Sequence, residues 1–261
     1  MAMATDRDAA LPAWLPALLQ MASPALPIGS FSYSQGLEAA AWSGLVRDEA
    51  SALAWIESHW QQAFAVRELP AVLAAADALA DAAAEAGAIA GAASRAEADA
   101  GAADRVDVVP APLLAALLAI DEDFLASRDS AEARAETRQT GAALLRWLGT
   151  LHPGSLEHRL AQAILARRDS LCAPTAFALC GWVQGLPPAA IRFAWAFAWI
   201  ENQVQAAVKI VPLGQSAGQR LLMALRARVA DPAPTEPWSF APLASVMAMR
   251  HERQYTRLFR S

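Results

Sequence analysis

Residues Pro188–Ile210 read PAAIRFAWAFAWIENQVQAAVKI. The proline stands in what would be a first helical turn, where its missing N–H is no loss. Phe193, Trp195, Phe197, Trp199 and Ile200 then spread over most of a helix circumference. A helix that is apolar on all sides belongs inside a packed body or at a subunit contact. Two readings stay open: core alone, or core plus a dimer contact from Arg192 through Trp195 to Trp199.

The chain around this segment has the same character. Alanine makes up about a quarter of the 261 residues, and β-branched residues are sparse. Alanine is the strongest helix former, so the expected class is all-α, a single domain over 1–261 built as a bundle of about ten helices. With 56% hydrophobic and 18% charged residues the chain is not a disordered one. Apolar periodicity and breakers place helices at Leu15–Gln20, Gly36–Trp42, Asp48–Val66, Leu69–Ala84, Leu113–Leu125, Ala131–Leu151, Leu156–Arg168, Pro174–Gln184, Pro188–Ile210, Gln215–Val229 and Pro242–Met249. Residues 85–112 are rich in Ala, Gly and Asp and nearly free of large side chains, which reads as a flexible insertion, with a helix as the alternative that its alanines allow. Residues 231–261 read as a proline-rich linker, a short helix and a docking tail.

Charge and motifs exclude several functions. The net charge of −5 gives no basic face for nucleic acid. No run reaches the roughly 18 apolar residues of a membrane span, and the acidic start MAMATDRDAALPAW is unlike a secretory signal, so the expected location is cytoplasmic, with no membrane. Between Ala76 and Glu136 there are 13 acids against 4 arginines, whereas Ser245–Ser261 holds four arginines and one glutamate. That asymmetry suits contacts with other proteins. Cys172 and Cys180, eight apart, read as buried small side chains. His59, His152, His158 and His251 form no close ligand pair, and no nucleophile, phosphate-loop or zinc-protease motif is present. The expectation is therefore no catalytic residue, no metal ligand and no enzyme.

Three stretches stand out. Ser23–Glu38, SPALPIGSFSYSQGLE, sets two prolines and Gly29 beside Phe31, Tyr33 and several hydroxyls, a pattern of constrained contact loops that an ordinary helix connection also shows. Asn202–Gln219 carries Lys209, the one lysine among 21 basic residues, before a Pro212–Gly214 break rich in amides. A plain C-terminal lysine and turn would read the same. The third, His251–Ser261, HERQYTRLFRS, mixes arginines with Tyr255, Leu258 and Phe259, the residue types that anchor protein interfaces.

Together with Ser127–Gly141, SRDSAEARAETRQTG, these stretches resemble the UreF family of urease accessory proteins from about Leu11 to Ser261, with a break across 85–112. The resemblance implies an all-α, dimeric, non-catalytic maturation factor. With UreD (UreH in some organisms) and the GTPase UreG it would act on apo-urease and enable nickel insertion, regulating GTP hydrolysis or gating metal transfer. Nickel would be handled by the complex, with no cofactor bound stably to this chain. A stand-alone metal-binding chaperone is the alternative. The tail His251, Glu252, Tyr255, Arg257, Leu258, Phe259 and Arg260 resembles the segment that orders against UreD. Pro27, Gly29, Ser30, Phe31, Ser32, Tyr33, Gln35 and Glu38, with Lys209, Pro212, Leu213, Gly214 and Gln215, resemble the family's signature surface, expected to meet UreG or the nickel route.

Overall fold

The computed structural model describes residues 11–96, 111–151, 164, 171–231 and 240–260, with the backbone alone over 86–96. The described residues are all-α and contain no strand, as the composition predicts. The helices are α1 (Leu15–Ala22), α2 (Leu37–Trp42), α3 (Glu49–His59), α4 (Leu69–Ala96), α5 (Ala111–Ala126), α6 (Ala131–Leu151), α7 (Ala173–Val183), α8 (Pro188–Ile210), α9 (Gln215–Leu225) and α10 (Pro242–His251). Short 3₁₀ turns lie at Ser30–Ser32 and Arg226–Ala230.

Two elements differ from the sequence reading. The helix expected over Asp48–Val66 is α3 running straight into a π-helical segment, Trp60–Glu68, and on into α4. Its start is a reciprocal cap: Asp48 accepts from the Ser51 N–H at 2.8 Å while the Ser51 hydroxyl accepts from the Asp48 N–H at 3.1 Å. Next, α4 continues past Ala84 to Ala96, so the first part of the expected insertion has a helical backbone; 97–110 lie outside the described residues. The expected helix Leu156–Arg168 also lies outside them, except for buried Ile164.

The buried apolar side chains fall mainly into two clusters that share α8. The first gathers Met21 of α1, Val72 and Leu79 of α4, Leu144 and Leu148 of α6, Phe177 of α7, and Ile191 and Ala194 of α8. The second gathers Leu37, Ile56, Phe64, Leu221, Met247 and Phe259 around Trp199, Ile200 and Val204 of α8. Trp195 and Phe197 pack against both. This is why α8 is apolar nearly all round: it is the common wall of two cores.

α7 is buried from Ala173 to Gly181, and its N-terminal N–H groups cannot reach water. Neighbouring helices satisfy them. Asp121 of α5 accepts from the Cys172 N–H at 2.6 Å, and the Thr137 hydroxyl of α6 accepts from the Ala173 N–H at 3.0 Å. Burial pushes the Asp121 carboxyl up to about 6. Gly141 lets α6 come this close, since a Cβ there would lie 1.9 Å from the Leu171 carbonyl oxygen.

Two outcomes are expected. Gly141→Ala should lower stability by about 1–3 kcal/mol, seen as a lower urea midpoint with an unchanged m value. Between about pH 4 and 6 the folded chain holds a proton on Asp121 that the unfolded chain has released, so Asp121 makes stability fall as pH rises through that window. Asp121→Asn should flatten that part of the stability–pH profile, an effect on the order of 2 kcal/mol by pH 7.

Candidate functional site

The three stretches that stood out in the sequence come together at one place, around Glu38. Gly29 and Gly36 both have positive φ, 74° and 84°, which turns the chain sharply on either side of the Phe31 loop. Gly36 has a second constraint, because a Cβ there would sit 3.1 Å from the Ala248 backbone nitrogen of α10. The loop therefore delivers Glu38, at the start of α2, to a buried position beneath α10 and the tail.

Glu38 is 1% exposed. Its carboxylate accepts from the backbone N–H groups of Leu258 at 2.8 Å and Phe259 at 3.0 Å, and from the Gln254 side chain at 3.3 Å. His251 places Nε2 3.0 Å from Glu38 and Nδ1 2.8 Å from Glu132 of α6. Arg257 pairs with the same Glu132, whose backbone N–H donates to Glu252 at 3.2 Å. The Arg260 N–H donates to the Ser32 carbonyl at 2.7 Å. Lys209, exposed, holds Nζ 5.8 Å from the ring centroids of both Phe31 and Phe259, within cation–π reach.

A second polar layer lies behind the loop. Gln35 accepts from the Trp199 indole N–H at 2.8 Å and donates to Glu136 at 2.8 Å. Asn202 donates to the Tyr33 carbonyl at 3.1 Å, and the Tyr33 hydroxyl donates to Gln139 at 2.7 Å. Burial raises the Tyr33 phenol, with Arg260 opposing.

A cavity of about 440 Å³ opens beside these residues, bounded by His59, Glu68, Arg128, Trp199, Lys209 and the inner face of α10. Burial, helped by Arg128, pushes His59 down to about 4, so its ring stays neutral, and its Nδ1 has no hydrogen-bond partner. Burial raises the Glu68 carboxyl, while Arg128 at 3.1 Å pulls it back.

The positions named from sequence are sorted by this geometry. Glu38, His251 and Phe259 are buried, and Tyr33 with them. Phe31, Tyr255, Arg257, Leu258 and Arg260 are exposed, as are Pro27, Pro212, Gly214 and Gln215; Gly29, Ser30, Ser32, Gln35, Leu213 and Glu252 are half-buried. On α8, Trp199 is buried against Phe64 with ring centroids 4.4 Å apart, Trp195 is half-buried against Phe177 at 4.9 Å, and Arg192 donates to the carbonyls of Val229 and Asp231. The exposed aromatic of that helix is Phe193. Glu132, Glu136 and Gln139 were missed as site residues, although they fall in the SRDSAEARAETRQTG segment already singled out.

The sequence model of the UreF family matches residues 46–226. The chain belongs to the UreF family. Its role is therefore that of an accessory protein of urease maturation. The match runs from before α3 to the end of α9 and includes Lys209 and Pro212–Gln215; the Phe31 loop and the tail lie outside its bounds. Among the described residues no helix is long and apolar enough to cross a membrane, and no group of three or more His, Cys, Asp or Glu is arranged to hold a metal ion.

Gln35→Ala would leave the Trp199 indole N–H without its partner. The expected loss is about 1–3 kcal/mol, read as a lower Tm with unchanged helical content.

Proposed function

We propose that this UreF-family chain is a non-catalytic assembly factor, in the cytoplasm, that joins UreD (UreH) and UreG on apo-urease and enables nickel insertion there. The observation that carries this reading is how the tail is presented. Its backbone is pinned by Glu38, Phe259 is sunk in the second core, Tyr255 and Leu258 are left fully and 74% exposed, and Phe31 of the loop is 54% exposed. Large apolar side chains held out to solvent on an ordered backbone lose little conformational entropy on binding, which favours a protein partner. We assign Tyr255 and Leu258 with Arg257 to UreD. Phe31, Lys209 and the Pro212–Gln215 turn are assigned to UreG or to the route nickel takes. Homodimerisation would draw on what α8 leaves at the surface, Phe193 above all.

The reading differs from a uniform tail anchor in one respect. Phe259 is buried in its own protomer, so its truncation would loosen the tail and affect a partner only through that.

Co-purification with UreD tests it. Tyr255→Ala and Leu258→Ala should each weaken the complex about 30-fold, the equivalent of about 2 kcal/mol, with Tm unchanged. Undiminished capture by the double variant would remove the tail from the interface. Lys209→Glu should fold normally and give a strain with lowered urease activity; a normal level would take Lys209 out of the site.

A further inference from the structure

His251 has no exposed surface, and both of its ring nitrogens face carboxylates. A neutral imidazole carries one N–H and one lone pair. In that form one nitrogen would set its lone pair against a carboxylate oxygen about 3 Å away. Only the imidazolium donates to both. The charged groups around it come from every packed element: Glu38 from α2, Glu132 from α6, and Arg257 and Glu252 from the tail. Lys209 of α8 stands over the Phe259 ring, and Arg250 and Arg253 point to solvent. At the centre, the charges of Glu38, Glu132, His251 and Arg257 cancel when His251 carries two protons. Loss of one proton leaves an uncompensated negative charge beside a carboxylate that is 1% exposed.

We propose that His251 is a one-proton latch. With both nitrogens protonated it ties α2 to α6 and clamps α10 and the tail onto the body. When the second proton leaves, α10 and the tail come loose, and the wall that Ala244, Ser245 and Ala248 give the cavity loosens with them. The consequence for partner capture rests on the docking role proposed above; the latch itself does not.

Amide hydrogen exchange on the full chain, corrected for intrinsic rates and followed from about pH 5.5 to about pH 8.5, reads it directly at the Leu258 and Phe259 amides, which donate to Glu38. One linked proton predicts that protection falls by up to about tenfold per pH unit wherever the closed latch holds a proton that the opened one has released. Glu132→Gln, at a half-buried site that bonds neither amide, removes one of the two carboxylates facing the ring and should flatten the profile; Glu38→Gln, which keeps an acceptor oxygen for only one of the two amides, is the second variant, read at the amide that stays protected. Nitrogen-15 shifts of His251 should show both ring nitrogens protonated on the protected side of the transition. A flat wild-type profile, or a slope unchanged in both variants, overturns the latch. Tyr255→Ala separates the two ideas: it should keep the pH profile and lose UreD. A retained profile with undiminished UreD capture sinks the docking role and leaves the latch standing.

Discussion

A carboxylate removed from water must be met by donors, or it costs several kcal/mol. Glu38 is such a group, and its donors come from 213 to 221 residues further along the chain. Two backbone N–H groups, one amide side chain and one imidazole converge on it, and each fixes the direction as well as the distance of its segment. An apolar contact of the same area would hold the tail without specifying its path, because burial is not directional. Here the path is specified to the level of individual amides. That is how Phe259 turns inward while Tyr255 and Leu258 stay outside.

The frame that carries Glu38 is set by α8. Its bounds, Pro188 and Ile210, are those read from the sequence, because Pro187–Pro188 and the Pro212–Gly214 break punctuate it on both sides. α6 was equally legible, with Gly141, Leu144, Leu145 and Leu148 at helical spacing. Less legible was the continuity of α3 with α4. Pro70 resembles a fresh helix start, yet it sits in the second position of α4 straight after a π segment. In a regular helix its ring and missing N–H would disturb the preceding turn; the widened hydrogen bonding of Trp60–Glu68 stands at that place. α4 also ran longer than expected, since alanine sustains a helix even where few large side chains are available to pack.

The site was legible in pieces. Composition marked the Phe31 loop, the Lys209 turn and the tail separately, and family resemblance tied them to one function. Their meeting at Glu38 was not readable, because it depends on pairings more than 200 residues apart that no local periodicity encodes. Glu132, Glu136 and Gln139 went unmarked as site residues for the same reason. At spacings of four and three they form a single stripe on α6, and the loop and tail supply what covers it. Trp199 shows the converse: its ring, apolar enough to suggest a subunit contact, is used up inside the protomer by Phe64 and Gln35.

The π segment also fixes a rotational offset. It inserts slack into an otherwise continuous rod, so that Trp60, Phe64 and Glu68 all turn inward while Val72, Ala75, Ala76 and Leu79 still face the other core. Adding or removing a residue between Gln61 and Arg67 with no compensating change of winding would swing every later side chain of α4 by about 100°, carrying that apolar row off α7. The looser turn is thus the gear that keeps two differently oriented cores in phase along one rod, and its length in residues is as constrained as its composition.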